Sequence, residues 1–232
     1  MPENQPNDTS LIGGRKQVRN ISQAATFRQL GILVLDGSGS MTEQTAGKIS
    51  KAEAVSQAVN AFFSRFKNSS LKNNFCFAIV NYDHRSIVKM QPTEVNDLDD
   101  HADYDPTQDL NGATYISEGL KDAKKIAEKF LDQSEQGGLS RSVIILVMTD
   151  GVDMTQPETK SVANEIKRNP KIKIASCFFE TLGASKEDML ECQDYMKSLC
   201  SNDKDGLMFA SVSEAEDLRK FFVKSMSNMA AI

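Results

Sequence analysis

No stretch of the 232-residue chain approaches the 18 or so continuous apolar residues that a membrane span needs. Its first residues, MPENQPNDTS, also lack the basic-then-apolar order of a secretory signal, so a soluble cytoplasmic protein is expected, with no membrane partner. Positive charge is in short supply: 27 Lys and Arg stand against 32 Asp and Glu, a formal net charge of −5. A nucleic-acid binder needs a basic face to neutralise phosphates, so that class is disfavoured and neutral or basic protein surfaces are the partners expected. Histidine is scarce, and its two copies, His84 and His101, are isolated and read as surface polar residues rather than ligands. Four cysteines, Cys76, Cys177, Cys192 and Cys200, include no CxxC pair. Cys192 and Cys200 fall on one expected helix, roughly 12 Å apart along it, too far for a disulfide. Reduced thiols in packing roles are expected. With only six prolines and 40% apolar residues, the chain has material for one generous core.

What is present is an alternation of strands and helices. Residues 1–26 are rich in Asn, Gln, Ser, Gly and Pro and read as a flexible tail, with Thr9 and Ser10 as candidate modification sites. One domain, residues 27–232, follows. The apolar runs at 30–35, 75–80, 142–148 and 172–179 read as strands, the near-continuous ones buried on both faces. SIVKMQ (86–91) alternates and follows the corner NYDHR, which predicts an antiparallel hairpin partner at a sheet edge. LMFASV (207–212) predicts the last strand. Helical periodicity covers 48–66, with Ser50 and Glu53 spaced as a capping box, and 115–131, 157–168, 186–199 and 214–229. Ser213 and Glu216 are spaced to cap the last of these. Its stripe of Leu218, Phe221, Phe222, Met226 and Met229 reads as core.

This order implies right-handed crossovers and a Rossmann-like, doubly wound, mostly parallel sheet with one antiparallel edge strand and helices on both faces. Ligands of such sheets bind beyond the carboxyl ends of the strands. Asp36 ends the first strand in ILVLDGSGSMT, and Asp150 ends another in MTDG, so both acids fall on that rim. DLNGATYISEGL brings Thr114 to the start of a helix there. Two adjacent acids repel unless a cation or a shared proton joins them. With the hydroxyls of Ser38, Ser40 and Thr114 they form an all-oxygen set suited to Mg²⁺ or Mn²⁺, and a poor one for zinc or copper. Gly37 and Gly39 are expected to let the loop turn its hydroxyls to one point.

Asp36-Gly37-Ser38-Gly39-Ser40-Met41 resembles the DxSxS signature of the von Willebrand factor type A domain, in the DxSGSM form of its microbial members. NGAT resembles that family's second metal loop and TDG its third. The resemblance runs from about residue 28 to 230 and fills all five expected positions. It implies a metal ion-dependent adhesion site. Ser38, Ser40 and Thr114 would then meet a Mg²⁺ ion directly or through water, Mn²⁺ and Ca²⁺ being alternatives, with Asp36 and Asp150 acting largely through water. It further implies a non-enzymatic domain whose ion takes a Glu or Asp from a partner protein. Glu43, Gln44, Tyr82, Asp83, His84, Tyr115 and Asp153, on the surrounding loops, would select that partner.

Two other functions compete. GSGS between a strand and a helix suggests a nucleotide or phosphate site, but Thr42 stands where a dinucleotide fingerprint has glycine, and TEQTAGKI departs from a P-loop at Thr42 and Ile49. A Mg²⁺-dependent phosphatase with Asp36 as nucleophile would want an acid two residues on, where Ser38 stands. Residues 95–109 carry six aspartates. They read as a solvated, mobile acidic loop or a second calcium site, though the spacing lacks the EF-hand pattern.

Overall fold

Phe27–Asp36 forms β1, the central strand, in the computed structural model, which describes residues 27–133, 139–204 and 206–227. The expected tail, with Thr9 and Ser10, and the stripe residue Met229 lie outside the described residues. After β1 come α1 (Lys51–Lys67), β2 (Phe75–Tyr82), β3 (Ser86–Glu94), α2 (Ile116–Leu131), β4 (Ser140–Thr149), α3 (Gln156–Lys167) and β5 (Ile172–Phe179). Then follow α4 (Lys186–Leu199), β6 (Asn202–Asp203), β7 (Gly206–Leu207), β8 (Phe209–Val212) and α5 (Ala215–Ser227). The main sheet has the order β3-β2-β1-β4-β5-β8, and β3 alone runs antiparallel, against β2.

Alternation along β1 divides the core. Leu33 and Leu35 face α1 and α5, whereas Leu30, Ile32 and Val34 face α2, α3 and α4. On the first side Phe62 packs edge-on against Phe66 and Phe77 at 4.9 Å and Phe222 at 5.6 Å. Burying each such ring contributes about 1.5–3 kcal/mol from area alone. Among the described residues no helix is long and apolar enough to cross a membrane.

Boundaries differ from the sequence reading in two instructive places. The first helix begins at Lys51 rather than 48, because residues 44–50 close a small loop through a bridge between Gln44 and Ser50, with Lys48 left-handed at φ 64°. Ser50 is then the N-cap and accepts from the Glu53 backbone amide at 3.0 Å, whereas the Glu53 carboxylate accepts from the Gln57 side chain, Nε2, instead of completing a box. The run 207–212 is split. Gly206–Leu207 pairs back on Asn202–Asp203 as a separate ribbon, and Met208 crosses from one to the other, donating to Ser201 and accepting from Ser176.

The acidic segment 95–109 is tied down rather than free. Leu98 and Tyr104 are buried, Tyr104 closes against Phe63 at 5.4 Å, and Asp103 accepts from Ser56. Asp99, Asp103 and Asp105 accept from amides two residues on, and Asp100 pairs with Lys67. Its carboxylates hold the segment's own turns.

Candidate metal centre

Parallel pairing places Asp36 beside Tyr82 of β2, and Leu35 beside Met148 of β4, so the ends of β1 and β4 are neighbours. Asp36 is fully buried and both its oxygens are engaged: Oδ1 accepts from the Ser38 amide at 2.8 Å and Oδ2 from Thr149 Oγ1 at 2.6 Å. Burial, and then the charge of Asp150, push the Asp36 carboxyl up to about 7, against the opposing hydrogen bonds from Thr149 and Ser38. A buried acid in that state is relieved either by a proton or by a cation beside it.

The hydroxyls converge beside it. Ser38 Oγ and Ser40 Oγ are 3.1 Å apart, and Ser40 Oγ donates to Asp150 Oδ1 at 2.7 Å. A Cβ placed on Gly151 would lie 3.7 Å from Thr114 Oγ1 and 3.8 Å from Ser40 Oγ, so both hydroxyls border the space that this glycine leaves open. Ser38, Thr114 and Asp150 are nearly covered, while Ser40 is half-exposed and marks the opening. All five residues singled out in the sequence therefore share one rim. Two carboxylates and three hydroxyls, all hard oxygen donors around a crowded pair of acids, fit a Mg²⁺-type ion. Among the described residues no group of three or more His, Cys, Asp or Glu could hold a metal.

Backbone hydrogen bonds lash the three loops together. The Gly37 amide donates to Tyr82 O at 2.7 Å, Gly39 to Gly112 O at 3.1 Å, and Met154 to Thr114 O at 2.9 Å. Gly37 is required for space and not for left-handed backbone: a Cβ there would strike the Pro106 carbonyl and the Leu110 side chain. Three of the seven rim residues expected to meet a partner are instead buried braces. Tyr82 donates its hydroxyl to Met148 O, Asp83 accepts from the amides of Arg85, Asn111 and Gly112, and Asp153 accepts from Ile116 and Thr155 and from the Tyr195 hydroxyl. Glu43, Gln44 and His84 are exposed and Tyr115 half-buried. His84 lies beside Asp83, and His101 is exposed.

Sequence reasoning missed Lys51. It is 1% exposed, and its ammonium donates to Asp150 Oδ2 at 2.6 Å, Thr181 Oγ1 at 2.8 Å and Glu43 Oε2 at 2.9 Å. The signal was present: a lysine at the first position of a helix opposes the dipole, where acids are favoured. Position 51 also lies on the helix face of Val55, Ala58 and Phe62, turned to the core.

Cysteine chemistry is packing chemistry. Burial pushes the Cys76 thiol up to about 11 and raises Cys177 and Cys200, so none of these three is a ready thiolate.

A doubly wound sheet whose carboxyl rim gathers two acids and three hydroxyls from three lashed loops defines a Rossmann-like domain with a polar rim centre. The chain belongs to the von Willebrand factor type A domain family, whose family model matches residues 32–152. Among solved structures it is similar to the pilus adhesin SpaC from Lactobacillus rhamnosus GG, with a TM-score of 0.69 and 14% identity over 89% of this chain and 31% of that one. It is similar to the PilB minor pilin from Streptococcus sanguinis, with a TM-score of 0.64 and 12% identity over 89% of this chain and 62% of that one. Proximal thread matrix protein 1 from the mussel byssus, in a structure with a zinc-occupied MIDAS motif, gives a TM-score of 0.57 and 15% identity over 88% and 46%. The chain thus spans less than two thirds of each of these proteins, and the likeness is one of fold. No curated protein is significantly similar to this sequence.

Proposed function

We propose that the domain is a metal-dependent protein-interaction module with a metal ion-dependent adhesion site. Ser38, Ser40 and Thr114 would hold a divalent ion, Mg²⁺ with Mn²⁺ or Ca²⁺ as alternatives, and Asp36 and Asp150 would act through water. When bound, the ion supplies a Lewis-acidic coordination place for a Glu or Asp of a partner protein. The observation that carries this reading is the Ser40–Asp150 hydrogen bond, which joins the DGSGS turn to the TDG loop, beside the Thr114 hydroxyl across Gly151.

Catalysis is disfavoured by the same geometry. Asp36 is fully covered and both its oxygens accept hydrogen bonds, so it is not accessible as a nucleophile to a phosphoester. A phosphate cradle is also missing from the described residues at this point, because the DGSGS turn leads into a short 3₁₀ turn, Gly39–Thr42, and α1 starts only at Lys51. We propose a cytoplasmic setting for the domain.

The chemistry of the partner is suggested by what surrounds the centre. Val152, Met154, Leu182 and Leu190 are exposed apolar side chains on the loops after β4 and β5 and on the first turns of α4. A small cleft beside Val152 is edged by Asp188 and Glu191. A peptide that offers a carboxylate to the ion, an aliphatic residue to this collar and a Lys or Arg to its acidic edge would match it. Selection from a displayed random-peptide library on the immobilised protein, with Mg²⁺ or with EDTA, tests the reading. Enrichment of acid-containing peptides with Mg²⁺, lost in EDTA and in Asp36→Ala/Ser38→Ala, is expected. Equal enrichment in all conditions would remove the metal from the function.

A further inference from the structure

The fold does not require a buried lysine at the head of α1, and the position is costly. The ammonium opposes the helix dipole and has left water almost completely. Its three protons are matched by three acceptors, Asp150 Oδ2, Thr181 Oγ1 and Glu43 Oε2. These acceptors come from the ends of β4 and β5 and from the loop after the DGSGS turn, so one side chain gathers three segments of the rim. Asp150 divides its oxygens between the two tenants of the site: Oδ1 takes the Ser40 hydroxyl and Oδ2 takes Lys51.

We propose that Lys51 is a resident counter-cation that sets the affinity of this centre for divalent ions. It cancels one of the two carboxylate charges, holds Asp150 against Ser40 in the metal-free protein, and, when both acids are ionised, leaves the centre with a net charge of about −1 rather than about −2. The hold on an ion is weaker for it. Less of the ion's charge is neutralised by the domain, and more is left for a partner's carboxylate. Glu43, the remaining acceptor, has a side chain 55% exposed, so its charge is screened by solvent and does not undo the effect. The inference rests on the metal reading above.

Two neutral replacements and one charged replacement separate this role from a purely structural clamp. Calorimetric titration with Mg²⁺, and with Mn²⁺ as a second probe, is run on the wild type, Lys51→Met, Lys51→Gln and Lys51→Arg. Melting curves are taken in EDTA and in Mg²⁺. Even at the dielectric of bulk water a fixed positive charge a few ångströms from a divalent ion changes affinity by roughly tenfold, and the lower effective dielectric of a protein surface enlarges the effect. The neutral variants should therefore bind Mg²⁺ at least about tenfold more tightly than the wild type. They should melt earlier in EDTA and recover in Mg²⁺, as the ion replaces the missing charge. Lys51→Arg should stay near the wild-type affinity. Neutral variants that fold but bind Mg²⁺ no more tightly would overturn the inference, as would neutral variants that Mg²⁺ cannot restore. A wild type that binds neither ion would overturn the metal reading itself, a result distinct from wild-type binding that Lys51 leaves unmoved.

Discussion

The Asp36 carboxyl gives a prediction with an unusual sign. In the folded, metal-free protein its pKa is raised from 3.8 to about 7 by burial and by Asp150. Below pH 3.8 the group is neutral in both folded and unfolded chains and contributes nothing. Between that pH and about 7 the folded chain holds a proton that the unfolded chain has lost, so stability falls as pH rises; above about 7 the loss is complete. A shift of this size corresponds to about 4 kcal/mol over the whole pH window. Surface carboxylates with lowered pKa, such as Asp100 and Glu165, work in the opposite direction, but their stabilisation is lost only as pH falls through the carboxylate range, a separate window. Thermal melts in EDTA between about pH 5 and 8 should therefore show the wild type losing roughly 10 °C relative to Asp36→Asn, whose amide cannot titrate. Mg²⁺ reverses the trend, because a ligand carboxylate must be deprotonated. Its apparent affinity should rise about tenfold per pH unit up to about 7, with release of one proton per ion below that pH. A wild type that tracks Asp36→Asn across this range would refute the reasoning.

Thr114→Val keeps the shape of the side chain and removes only the hydroxyl, so Mg²⁺ affinity measured by calorimetry should fall at least about tenfold while the metal-free melting point moves little. Phe62→Ala empties a fully buried ring site between α1, β2 and α5 and should cost about 3–5 kcal/mol in urea unfolding, with Mg²⁺ still able to raise the melting point. Gly112→Ala places a methyl group against His84 Nδ1 and Asp83 Oδ2, breaking the brace under the second loop. It should weaken Mg²⁺ binding without touching a ligand, and part of the loss should return in Gly112→Ala/His84→Ala.

Fold legibility followed from periodicity. The near-continuous apolar strands and the single alternating strand SIVKMQ specify a buried parallel sheet with one edge hairpin, since only an edge strand has a face to give to water. The rim centre was legible because Asp36 and Asp150 each end an apolar run and so must emerge together where β1 and β4 are neighbours. What escaped is long-range pairing that no local pattern encodes. Residues 207–212 look uniformly strand-like, but Gly206 at φ 113° lets the ribbon turn back before the chain enters the sheet. The aspartates of 95–109 look like solvated charge, yet Leu98 and Tyr104 anchor the segment to the core and the carboxylates bond to its own amides. Asp83 and Asp153 look like rim acids because their loops are on the rim. Their side chains turn inward to satisfy backbone amides that the turns leave without partners.

That inward turn explains why three hydroxyls, and not a cluster of acids, define the centre. Asp36, Asp83, Asp150 and Asp153 all stand at or beside strand ends of the rim, and each has its oxygens bound by amides, hydroxyls or Lys51. A carboxylate so engaged holds its loop rigid and supplies negative field, but it has little freedom to rotate onto an ion. Ser38, Ser40 and Thr114 carry the opposite properties: neutral oxygens whose protons can rotate away and leave lone pairs facing inward. On the proposed reading, rigid acids behind adaptable hydroxyls would let the centre attract a hard cation without neutralising it, and the half-exposed Ser40 would place the remaining charge where an approaching carboxylate can reach it.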